Sequence, residues 1–186
     1  MSKPKQEKTQ PQSEAESRRF LQLLGTLSVR QYSKIGVVRS TNDDLLTFSA
    51  FIFSTINSKQ KRIVHGLKIL HENNDCLEDY CLVDFEELKE LLLAIKYLFE
   101  SAKSIVSLRD YTEFEYRTKD FLRIGFYQDE SDRQSAFFQI SPTSALVHLE
   151  FDKFRIIFDR IKESRDYLIA KGATIEATSD KDQANL

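Results

Sequence analysis

Three histidines and two cysteines are the side chains of this 186-residue chain best suited to acid–base work or metal ligation, and their spacing organises neither. His148 has Glu150 and Asp152 as carboxylate neighbours. No nucleophile or pocket-forming motif accompanies them, and an isolated histidine on a strand is ordinarily structural. His65, His71, Cys76 and Cys81 form a loose group, but a C-x4-C pair without a second pair lacks the compact ligand spacing of a structural zinc site. Phosphate-cradling, dinucleotide-binding, nucleophile-elbow and zinc-protease motifs are all missing. The reading is a non-enzymatic chain that uses no cofactor and no metal.

A different chemistry is written into residues 118–140. Along Phe121–Gln128, the side chains of Leu122, Ile124 and Phe126 point one way and those of Phe121, Arg123 and Tyr127 the other. Ala136, Phe138 and Ile140 alternate in the same way with Phe137 and Gln139. With the aliphatic set packed under a helix, the far face offers Phe121, Arg123, Tyr127, Phe137 and Gln139, with loop-proximal Lys119. Aromatic rings beside a guanidinium on a rigid sheet form a surface on which unpaired bases stack. Phe51 and Phe53 with Arg62 and Lys68 offer an earlier version of it. The expected nucleic-acid-binding residues are therefore Lys119, Phe121, Arg123, Tyr127, Phe137, Arg62 and Lys68. The competing expectation is that a second sheet, the other repeat or another subunit covers this aromatic face. The chain would then be a protein-interaction or oligomerisation module, since large exposed apolar patches on monomers are uncommon.

The elements that must carry these residues read as a duplication. Asp84–Lys96 laid over Glu150–Lys162 without gaps matches Phe85 with Phe151, Ile95 with Ile161 and Lys96 with Lys162, and sets Leu88, Leu91 and Leu92 on Phe154, Ile157 and Phe158. The apolar set recurs at helical spacing in both copies. Strands are expected over Ile35–Arg39, Arg62–Leu70 and Tyr80–Val83 before the first helix, and over Leu45–Thr55, where Phe48, Ile52 and Ile56 also fit a helix but Thr, Ser, Phe and Ile favour the strand. Others are expected from Tyr111, over Phe121–Gln128, around Ala136–Ile140 and over Ala145–Leu149 before the second. The fold class is α+β, two antiparallel four-strands-then-helix units packed as an intramolecular pseudo-dimer. The organisation is a disordered tail over 1–12, a short helix within 13–27, units at 35–104 and 111–172, and a loose tail over 173–186. Ser13-Glu14-Ala15-Glu16 has capping-box spacing, and Phe20, Leu21, Leu24 and Leu27 follow as the stripe by which the first helix docks.

Lys119-Asp120-Phe121-Leu122-Arg123-Ile124, a hairpin, then a strand leading into a Phe-containing helix resembles the PUR-repeat proteins and, more loosely, the Whirly fold. The resemblance covers residues 111–170 most fully. It implies paired four-strands-plus-helix units that hold single-stranded DNA or RNA against the strands.

Composition limits the remaining options. A net charge of −2 gives no global attraction to nucleic acid, so any such face must come from local segregation of charge. Two cysteines make no disulfide framework and point to a reducing compartment, cytoplasmic, or nuclear or organellar in a eukaryote. The polar N-terminus lacks the apolar core of a secretory signal. No apolar run approaches the ~20 residues of a membrane-spanning helix, so no membrane partner is expected.

Overall fold

The computed structural model of the chain describes residues 14–56, 61–73, 78–104, 111–129 and 133–174. Expectations for residues 1–13, for Cys76 and for the tail from residue 175 lie outside them, whereas Ala173, expected in the loose tail, is buried in the core and donates its N–H to Leu168 O at 2.9 Å. Alternating apolar residues build two antiparallel meanders. Helix α1 (Glu16–Leu21) precedes β1 (Ser28–Arg39), β2 (Leu45–Thr55), β3 (Ile63–Glu72) and β4 (Glu78–Asp84). A 3-10 turn over Phe85–Glu87 then opens α2 (Leu88–Ser104). The second set is β5 (Thr112–Arg117), β6 (Arg123–Gln128), β7 (Gln134–Gln139), β8 (Val147–Leu149) and α3 (Lys153–Ala170). Each set of four strands pairs in chain order as its own sheet. The fold is thus α+β, with two four-stranded antiparallel sheets, each followed by a helix.

The inward faces follow the two-residue period. Leu46, Phe48, Leu67, Ile69 and Val83 of the first sheet are at most 1% exposed, as are Leu122, Ile124, Phe126, Ala136, Phe138 and Ile140 of the second. Burying each large side chain contributes roughly 1.5–3 kcal/mol, and here both sheets contribute to one continuous core. The helices complete it. α2 buries Leu88, Leu91, Ile95, Leu98 and Ala102, and α3 buries Phe154, Ile157, Ile161, Ser164 and Leu168. The gapless alignment of the two helices pairs these sets one to one. Leu92 and Phe158, aligned with each other, are both only partly buried, at the border of the stripe.

Each helix follows one sheet and packs on the other. α3 lies against β1, β2 and β3, α2 lies against β5 and β6, and the helices touch. Two turns tie the sheets together. Thr41, between β1 and β2, donates its N–H and its hydroxyl to the carbonyl of His148 in β8, at 3.1 and 3.0 Å. Between β5 and β6, the Asp120 carboxylate accepts the N–H of Leu82 in β4 at 2.7 Å, and Lys119 N–H donates to Glu87 at 2.9 Å.

Three details depart from the sequence reading. β1 begins at Ser28 rather than Ile35. Its first half is polar and mostly exposed on an edge strand, so no apolar alternation announces it. Helix α1 stops at Leu21, leaving Leu24 93% and Leu27 63% exposed rather than docked. Its N-terminus is capped by buried Asp84, which accepts the N–H groups of Glu16 and Ser17 at 2.5 and 3.0 Å. Glu16, assigned to a capping box, instead pairs with Arg62 at 3.0 Å. A helix this short ends against β4, where a carboxylate fixed by the sheet takes the free donors.

Candidate functional site

The outer face of the second sheet has its charge engaged. Arg123 donates from Nε to Glu115 at 2.7 Å, from NH2 to Glu113 at 2.9 Å and from NH1 to Gln139 at 2.8 Å. Partial burial raises the Glu115 carboxyl, but the bonds and charges of Arg123 and Arg117 outweigh it and hold it below the usual range. Phe137 is 2% exposed. Its ring lies over its cross-strand partner Gly125, where a Cβ would come within 2.7 Å of it, and the Arg123 guanidinium stands 5.5 Å from the ring centroid. The same device recurs in the first sheet, with Phe51 over Gly66. Tyr127 remains half-buried beside Tyr111, with ring centroids 5.6 Å apart.

Phe121 is exposed but precedes β6, in a turn at φ 65°, so it is not on the strand face with Arg123. Lys119 in that turn pairs with Glu86 at 3.5 Å. The structure thus brings Arg123, Tyr127 and Phe137 together and leaves Lys119 and Phe121 in the turn before β6. Arg62, at the start of β3, is held by Glu16.

The outer face of the first sheet carries cations of its own. On β1, Arg30, Tyr32 and Lys34 alternate on the outer face, opposite Phe53, Phe51 and Ser49 of β2. Lys68 of β3 faces Ser49 and Leu82, and Tyr80 of β4 faces Leu70. The Lys68 ammonium stands 5.5 Å from the Tyr32 ring centroid and 4.6 Å from that of Tyr80, and Arg18 of α1 lies 4.7 Å from Tyr80 on its own account. The result is a row of alternating rings and cations: Tyr32, Lys68, Tyr80, Arg18. Asp120 fixes its last member by an ion pair at 2.8 Å. Tyr32 is 49% exposed and braced edge-on against Phe53 at 5.6 Å. Partial burial pushes its phenol up, with Arg30 working the other way. Among the described residues Arg30, Lys34 and Lys68 enter no ion pair. An arriving phosphate need displace no carboxylate there, whereas at Arg123 it must displace two.

Phe51 and Phe53 do not line this face for a ligand, because Phe20 of α1 covers them together with Val64 and Leu82. On the first sheet the cover comes from helix α1, not from a second sheet, the other repeat or another subunit. Arg30, Tyr32, Lys34 and Tyr80 are not among the residues the sequence marks for binding, although the spacing Arg30-Gln31-Tyr32-Ser33-Lys34 puts two cations and a ring on one strand face.

Cys81 is fully buried, which pushes its thiol far up, and His71 Nε2 lies 3.5 Å from Asp44. Among the described residues no group of three or more His, Cys, Asp and Glu is placed to hold a metal ion. No helix among them is long and apolar enough to cross a membrane. No protein-family model, curated protein or solved structure matches the chain.

Proposed function

We propose that the protein binds single-stranded nucleic acid, without catalysis, across the outer face of its first sheet. The observation that carries this reading is the row Tyr32–Lys68–Tyr80–Arg18 flanked by unpaired Arg30 and Lys34. Tyr32 supplies a stacking surface, while Lys68, Arg30 and Lys34 supply charge for the backbone. Of the residues first expected to bind, Lys68 keeps that role. Arg123, Lys119 and Arg62 instead hold the fold through their carboxylate partners.

We also infer that the two units form an intramolecular pseudo-dimer. Three observations support it: the one-to-one match of buried helix positions, the packing of each helix on the other unit's sheet, and the reciprocal turn contacts at Thr41 and Asp120.

The test is a fluorescence-anisotropy titration of labelled DNA and RNA single strands at two salt concentrations. Tyr32→Ala should weaken binding by about 1–3 kcal/mol, the range for loss of one stacked ring. Lys68→Ala should lower the log–log salt slope by about 0.7, the value for one lost phosphate contact on a single strand. Arg123→Ala should change neither. Absence of binding by the wild type at low salt ends the proposal.

A second reading, self-association, is favoured by exposed Leu24, Leu27, Ile56 and Ile63 at one end of the first sheet, where Ile56 N–H donates to Leu27 O at 2.8 Å. Light scattering on the same samples separates the two readings.

A further inference from the structure

Away from that face, α2 and α3 leave an open groove of about 430 Å³ between them. Its floor is Ile95, Phe99, Phe154 and Phe158. Phe154 is buried, whereas Phe99 and Phe158 remain partly exposed. Three cations stand on its rim: Lys96 and Lys103 from α2, and Arg155 from α3. Among the described residues only Lys103 has a carboxylate partner, Glu100 at 3.9 Å, and both groups are more than half exposed.

We propose that this groove docks an acidic amphipathic helix of a partner protein, a role independent of nucleic-acid binding. Two adjacent helices with an apolar seam offer the surface on which a third helix lays side chains spaced one turn apart. The rim selects carboxylates on the flanks of that helix, and charge complementarity at an interface sets register and suppresses wrong partners. A nucleobase fits less well. One side of the Phe99 ring is stacked on Phe151 at 5.4 Å and 6°, and the Lys103 ammonium lies 3.9 Å from the ring centroid, so Phe99 offers a base no free face. A fatty acid brings one carboxylate to a rim that spreads its cations over two helices.

The experiment pans a random peptide library on the immobilised full-length protein and measures the enriched peptides by anisotropy. Lys96 and Arg155 are exposed, so the double variant K96E/R155E should leave the fold intact, which circular dichroism verifies. Enriched sequences should place apolar residues at helical spacing among Asp and Glu. They should bind K96E/R155E at least about tenfold more weakly, a loss typical of removing matched interface charge. K68A should bind them like the wild type, separating this groove from the sheet face. The proposal is overturned if no sequence is enriched, if the enriched sequences lack carboxylates, or if K96E/R155E binds them equally. Uptake of oleate without peptide enrichment would make the groove a lipid site and overturns it too.

Discussion

Glu87 accepts the Lys119 N–H on one carboxylate oxygen while the other is buried without a hydrogen-bond partner. Burial pushes its carboxyl above the ordinary range, with the Lys119 contact working against the shift. The folded state therefore holds this proton to higher pH than the unfolded chain does. The stability it contributes is fully present below the ordinary glutamate pKa and is lost as pH rises through the raised one. Glu87→Gln, which keeps an acceptor and cannot ionise, should gain on the wild type in urea midpoint between about pH 4 and about pH 7. A difference that stays flat across that range would contradict the assignment. Contacts of this kind vary in how far the sequence shows them. Glu113 and Glu115 alternate on the strand beside Arg123, so its capture was readable once β5 was paired with β6. The carboxylate that caps α1 lies 68 residues from the helix it serves and has no local signature.

The two helices carry the same buried pattern, and within each the apolar positions differ in depth. Phe154 is 1% exposed, while Phe158 borders the groove. Phe154→Ala should cost about 3–5 kcal/mol, as for an aromatic removed from a packed interior. Phe158→Ala should cost less than about 2 kcal/mol, because part of its surface is already in water. Equal losses in urea denaturation would show that the groove closes in solution. Helical spacing made both stripes legible, and two-residue alternation made most strands legible. It failed for the first half of β1, where Arg30, Tyr32 and Lys34 face outwards and the inward positions are not a run of large apolar residues. It also failed for α1, where Leu24 and Leu27 have helical spacing but the chain leaves the helix at Leu21. Spacing reports a periodicity and does not say which sheet a helix will cover.

At the scale of the molecule, each helix packs on the sheet it does not follow, and in the proposed pseudo-dimer each unit depends on the other. The first unit alone, ending after α2, leaves the inner face of β1–β3 without α3. Expressed by itself it should not be a folded monomer, and mixing it with the second unit should restore cooperative unfolding. A monomeric, cooperatively folding first unit would contradict the pseudo-dimer. The two sheets carry similar aromatic and basic residues, so sequence alone does not choose between their outer faces. What separates them is where the carboxylates end up: against Arg123 in one sheet and away from Lys68 in the other. The most direct test of that distinction is photocrosslinking of an iodouracil-substituted single strand to the intact protein at low salt, with adducts mapped by mass spectrometry. Adducts on the peptides that hold Tyr32 and Tyr80, fading as salt is raised, are the predicted result. Adducts confined to Phe121 or Tyr127, or no adduct at all, would contradict it.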